Sequence, residues 1–289
     1  MASVIIATDL GDLAPIGYRY GELFAAALEL SVALVHVDES AELKLPGGEE
    51  LLAQYREDVR AMQLRAIGDA SADLAARSIR VEYTELCEGP VWRQVLRVAH
   101  EQGGQLVIAS KPTDSRIAGS TALRLARHSD VPLLIVDAAS ETRAPEAIDV
   151  GRLIVPLDLS DHTAKALVPA LELGRAFGAD VVAAHVLSQQ IQPSLVSSEG
   201  FEAATHLQAA LGQRAEQRLQ AIAGGTDSVL LSGSVAHALD AFADQPDDMF
   251  VVSSHGRGAL TAVLLGSTTE TLLRATRRPV LIYPRRALP

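Results

Sequence analysis

Ser3 to Asp9 reads SVIIATD, and Arg152 to Asp158 reads RLIVPLD. Both are runs of β-branched and aliphatic residues ending on an aspartate, and the two aspartates lie 149 positions apart. A run without polar alternation predicts a strand covered on both faces, as in a parallel sheet. Each run leads through a small, polar turn into residues at helical spacing, Tyr18 to Leu30 and then Ala164 to Phe177. The correspondence continues outward. Val32 to Val37 (VALVHV) and Val181 to Val186 (VVAAHV) both close on His-Val, with His36 and His185 again 149 apart. Arg80 to Leu86 and Ser228 to Ser232 lead into Gly89 and Gly233, and Leu106 to Ala109 matches Phe250 to Ser253. Pro132 to Val136 matches Pro279 to Tyr283, now 147 apart. The chain reads as a duplicated α/β unit, with parallel strands, right-handed crossovers and helices on both faces.

Asp137 to Asp149 (DAASETRAPEAID) is polar, carries Pro145 and lacks periodicity, so it reads as the connection. Domains are expected at 1–137 and 151–285, with a linker at 138–150. The 289 residues suffice for two domains, and a 48% hydrophobic, 4% aromatic composition predicts aliphatic cores. A net charge of −11 argues against nucleic acid and against an anionic membrane surface as partners. No apolar run reaches the length of a spanning helix, and MASVIIATDL lacks the basic start of a secretory signal. The single Cys87 suits a reducing compartment, and a cytoplasmic location is expected. Cys87 reads as a small filler near a strand end before a nucleophile.

Ligands of open parallel sheets sit beyond the carboxyl ends of the strands, where strand order reverses. In the second half those ends carry Asp158, Val186, Gly233 and Ser253, expected to line one crevice with Gly256 and Gly266. Val251 to Glu270 reads VVSSHGRGALTAVLLGSTTE, a strand end, a small polar loop, an apolar patch and a helix opening at Ser267. Two readings compete. Glycines bring backbone N–H groups close to a phosphate, and the helix start adds its dipole and unpaired donors. Alternatively, Gly256 makes a turn, and Ser267 with Glu270 forms a capping box.

At these residues the chain resembles the universal stress protein family, in tandem and over nearly its whole length. Nucleotide-binding members carry Gly, two residues, Gly, nine residues, then Gly-Ser or Gly-Thr. Here Ser253 stands for the first glycine, and Gly256 and Gly266-Ser267 follow at family spacing. The resemblance implies two Rossmann-like domains of the adenine nucleotide alpha hydrolase type, each with a five-stranded parallel sheet. It implies ATP as ligand, alone or with magnesium. Asp158 would receive the adenine ring, with Pro156 and Leu157 before it and Val186 against adenine and ribose. Ser253, Gly256, Gly266, Ser267 and Thr268 would form the phosphate side. Serine at 253 adds a Cβ where the family's glycine permits close backbone approach, and equally a hydroxyl that can bond a ribose or phosphate oxygen. Arg257 reads either as reaching the β- or γ-phosphate or as an exposed loop arginine.

The first half departs further: Ala109-Ser110-Lys111-Pro112, then six residues, then Gly119-Ser120. Neither opening glycine is present, and Pro112 removes a donor. This half reads as a degenerate site in which Asp9 pins a turn. Lys111 is expected to be solvated, with a phosphate contact as the alternative. His36 and His185, recurring at equivalent strand ends, point to a shared structural role. His255 beside Ser253 and Ser254 does not make a hydrolytic triad, for no GxSxG elbow is present. GxxxxGK[ST] and HExxH are also missing, so no catalytic residue is assigned and at most very slow hydrolysis is expected. The polar run Leu187 to Gln208 reads as a flap over the crevice or as ordinary linker. In the resembling family the apolar final strands are sheet edges through which two domains associate, so the resemblance implies pairing of the two halves as an intrachain pseudo-dimer, with a homodimer left open. The resemblance implies a stress-response protein that binds ATP in its C-terminal half and acts as a regulatory or sensing module. The alternative is a nucleotide-free interaction module of the same family, with an unidentified protein partner.

Overall fold

In the computed structural model of the chain, the described residues are 2–12, 14–39, 43–111, 120–137, 148–188, 198–254 and 265–288. They form two compact units, Met1–Asp149 and Val150–Pro289. The segment 138–147 of the expected linker lies outside the described residues.

The first unit runs β1 (Ser3–Thr8), α1 (Ala14–Leu28), β2 (Ser31–Asp38), α2 (Glu49–Ala76), β3 (Val81–Glu88), α3 (Val91–Glu101), β4 (Gly104–Lys111), α4 (Ser120–His128) and β5 (Leu133–Asp137). Its strands are all parallel, in the order β3-β2-β1-β4-β5. The chain steps outward from β1 through β2 to β3, then returns to β1's other side with β4. Right-handed crossovers therefore put α1 and α2 on one face and α3 and α4 on the other, and α3 and α4 pack together. The cores of the central strands are buried, with Val4, Ile5, Leu34, Val107 and Ile108 at 0% exposure. Hydrophobic burial over both faces is what selects a strand at these continuous runs. The helix α1 approaches β1 so closely that a Cβ at Gly21 would overlap Ile6.

The second unit repeats the design: β6 (Arg152–Pro156), α5 (Asp161–Ala164), α6 (Leu167–Phe177), β7 (Asp180–Leu187), α7 (Ser198–Ala223), β8 (Asp227–Ser232), α8 (Val235–Phe242), β9 (Asp248–Ser253), α9 (Ser267–Ala275) and β10 (Val280–Tyr283). The parallel order is β10-β9-β6-β7-β8. One expected helix, Ala164 to Phe177, is two. Pro169 cannot donate a backbone hydrogen bond inside a helix. The break after Ala164 restarts the helix at Leu167, so the proline falls in a first turn where no donor is missed. Of the run Leu187 to Gln208, expected as flap or linker, the part from Ser198 onward is instead the start of α7, and 189–197 lies outside the described residues.

At the amino ends of β6 and β9, Arg152 grips Asp248 through Nε and Nη2, both at 2.7 Å, and the Asp248 side chain is fully buried. The hydrogen bonding to Asp248 leads in holding the guanidinium pKa above its ordinary value. Among the described residues, no helix is long and apolar enough to cross a membrane.

Candidate functional site

Strand order in the second unit reverses between β6 and β9, so a crevice opens at their carboxyl ends. From β6 the chain passes through Pro156 and Leu157, both buried, to Asp158, which is half-buried. Leu159 then takes φ 62°, a left-handed conformation that leucine rarely adopts. Asp158 offsets that strain. Its Oδ1 accepts the Ser160 N–H at 2.9 Å and the Thr163 hydroxyl at 2.6 Å. Ser160 caps α5 in turn, its hydroxyl accepting the Thr163 N–H at 3.3 Å. The aspartate is therefore held rigidly at the crevice edge.

On the opposite edge, β9 ends at Ser253. Its backbone is ordinary strand and is not among the residues with positive φ, so the serine imposes no backbone strain. The Ser253 carbonyl accepts the buried Thr269 hydroxyl at 2.9 Å. The Gly266 N–H donates to the Ser254 carbonyl at 2.8 Å. These two bonds clasp the base of the loop, whose residues 255–264 lie outside the described ones; Gly256, Arg257 and His255 are among those. The capping box does not form. Gly266 is the N-cap, Ser267 is the first helical residue, and the Glu270 carboxylate bonds Arg274 at 2.9 Å instead. The Gly266 N–H is thus committed to the clasp. Ser267, Thr268 and Thr269 carry first-turn N–H groups, for which α9 itself has no carbonyl. Ser267 is exposed and Thr268 half-buried.

The sequence did not single out His162 or Thr269. His162, in α5, brings Nε2 to 3.3 Å from Ser253 Oγ and bridges the crevice. Val186, buried at the end of β7, lies beside the β6 terminus. Gly233 does not join the cluster. It follows β8, three strands from β9, or about 14 Å at the usual strand spacing. Tyr283, in register with Ser253 on β10, has its phenol pushed well up by burial and then by the Glu172 charge, so it stays neutral. His185 donates through Nδ1–H to the Leu157 carbonyl at 2.7 Å, and His36 donates in the same way to the Thr8 carbonyl at 2.8 Å. The repeated histidines tie adjacent strand ends together, as expected.

The first unit shares the turn. Leu10 is left-handed (φ 58°), and Asp9 Oδ1 accepts the Gly11 N–H at 3.0 Å. Lys111 is not solvated. It is buried, with Nζ 3.3 Å from Asp137 Oδ2, because β4 and β5 set the two in register. Pro112 and Gly119 lie outside the described residues, as does the side chain of Ser120. Cys87 is buried beside Arg97, and desolvation leads in pushing its thiol up to about 11, which fits a filler and not a nucleophile. Among the described residues, no three His, Cys, Asp or Glu side chains converge to hold a metal ion.

The residues brought together at β6, β9 and α9 offer an apolar wall, a fixed carboxylate and helix-start donors, which suits a ligand with a flat apolar part and an anionic part. The universal stress protein family matches residues 1–137 and again 150–284. The chain belongs to that family and carries its domain twice. A universal stress protein of Methanocaldococcus jannaschii is 26% identical over 136 residues, covering 45% of this chain and 80% of its own. The crystal structure of a universal stress protein from Archaeoglobus fulgidus covers 98% of this chain and 96% of its own, at 17% identity and a TM-score of 0.60. A further family member, solved in complex with cAMP, covers 46% of this chain and 95% of its own, at 25% identity and a TM-score of 0.30.

Proposed function

We propose that the second unit binds ATP at the carboxyl ends of β6 and β9, and that the protein is a nucleotide-responsive regulatory module of the stress response. Pro156, Leu157 and Val186 wall the adenine, Asp158 receives it, and Ser253, Gly256, Arg257, Ser267 and Thr268 lie on the phosphate side. Gly266 serves by closing the loop rather than by donating to phosphate. The observation that carries this reading is the clasped loop base, Gly266 to Ser254 and Thr269 to Ser253, at the strand-order reversal and beside the Asp158 turn. A loop so held returns the chain to α9 with its first donors turned over to a ligand. The test is nucleotide content of freshly purified protein, with ATP titration of the wild type and Asp158→Ala. About one adenine nucleotide per chain, and a rise in melting temperature with ATP that Asp158→Ala abolishes, is expected. No nucleotide and no ATP-dependent rise would reject the site.

One contact favours a second reading, a nucleotide-free interaction module. The Ser253–His162 bridge and the internal use of Asp158 Oδ1 fill part of the crevice from within. On that reading ATP has no effect and the protein works through its outer surface.

A further inference from the structure

The first unit holds an open cavity of about 380 Å³ just beyond the end of β3, lined by Pro90, Trp92 and Arg93 at the start of α3 and by Arg124 and His128 of α4. Trp92 is the only tryptophan of the chain. Its ring stacks on His128, centroids 4.6 Å apart and planes 25° apart, and the Arg93 guanidinium lies 5.1 Å from its centroid. Arg93, Arg124 and His128 are exposed. Among the described residues, neither Arg93 nor Arg124 has a carboxylate partner, although Arg60, Arg77, Arg80 and Arg97 of the same unit each have one. Unpaired arginines sharing one cavity are not what a chain of net charge −11 supplies by default.

Local helix energetics accounts for only part of the cluster. His128 stands in the last turn of α4, where a cation offsets the dipole. Arg93 stands in the first turn of α3, where a cation opposes it. An oxyanion between the two guanidinium groups would reverse that penalty, and the planar fork of arginine matches phosphate geometry. Trp92 and Pro90 supply an apolar wall beside it. The volume is that of a small metabolite site. We propose that this cavity binds a small organic phosphate, its dianion held by Arg93 and Arg124 and its apolar part laid against Trp92 and Pro90. The site is separate from the nucleotide crevice proposed for the second unit.

The lone tryptophan gives a direct readout. The full-length protein is titrated with phenyl phosphate at low salt while Trp92 emission is followed, with phenol and benzoate as companion probes. A saturable change is expected with phenyl phosphate at millimolar levels or below. Arg93→Gln and Arg124→Gln, both at exposed positions, should each weaken it about tenfold, while Asp158→Ala should leave it intact. No saturation, equal binding of phenol or benzoate, indifference to both arginine variants, or loss in Asp158→Ala would each overturn the proposal.

Discussion

Replacing Ser253 by glycine restores the family's first loop residue and separates two effects of opposite sign. The serine hydroxyl bonds His162 Nε2 at 3.3 Å, the long end of the hydrogen-bond range, so about 0.5 kcal/mol is a fair net value. Ser253 is ordinary strand, where a glycine costs about 0.5–1 kcal/mol of backbone entropy. Together the variant should lose about 1–1.5 kcal/mol, which lowers the melting temperature by about 3–6 °C for a unit of this size. Without the His162 bridge the crevice no longer has to be opened, and ATP affinity should rise about 2–3-fold. Calorimetric unfolding without nucleotide gives the first quantity, and titration calorimetry with ATP the second. Ser253→Ala keeps the Cβ and removes only the hydroxyl, so it apportions the gain between space and bridge. Weaker ATP binding in Ser253→Gly would refute this reasoning and make the hydroxyl a ligand to the nucleotide.

Other residues carry their own tests. Asp248→Ala strips Arg152 of two charge-assisted bonds; Arg152 retains 24% exposure, so solvent returns some of the loss, and about 2–3 kcal/mol should vanish in urea unfolding. Thr163→Val removes the 2.6 Å bond to Asp158 and should cost about 1 kcal/mol while weakening ATP binding, because the aspartate loses its anchor. The Cys87 thiol, pushed up to about 11, stays protonated in the folded state at pH 8, so iodoacetamide should react about 100-fold more slowly than with the unfolded chain. Since that folded pKa is raised, the cysteine's contribution to stability is whole below about pH 8.5 and should drain away between there and pH 11.

The repeat and the strands were readable because burial on both faces leaves uninterrupted apolar runs, as in Val32–Val37 and Leu106–Ala109. Strand ends moved by only a few residues. Helix limits were harder to place: α1 opens at Ala14 instead of Tyr18, since its first turn is small residues and a proline with little periodicity. Asp158 and Gly266 stood out because strand ends and helix starts leave local signatures. His162 did not, for its meeting with Ser253 spans 91 positions and exists only because β6 and β9 are neighbours. Thr269 was hidden for the same reason: its role is a bond to a carbonyl that sequence spacing does not reveal. Lys111 was misjudged because nothing local announces that β5 ends in register with β4 and delivers Asp137 to it.

That last pair has a consequence for the first unit. A cation beside a strand-order reversal is what a passing phosphate would seek, and here the chain answers it with a carboxylate of its own. Asp137 is tethered at contact and needs no diffusion, so any dissolved anion competes against a partner that is always present. A competing anion would have to displace a buried carboxylate from Lys111 at a place where breaking a buried ion pair costs several kcal/mol. The strand end of the first unit thus carries its own counter-ion, supplied by the neighbouring strand and fixed in place as the sheet forms.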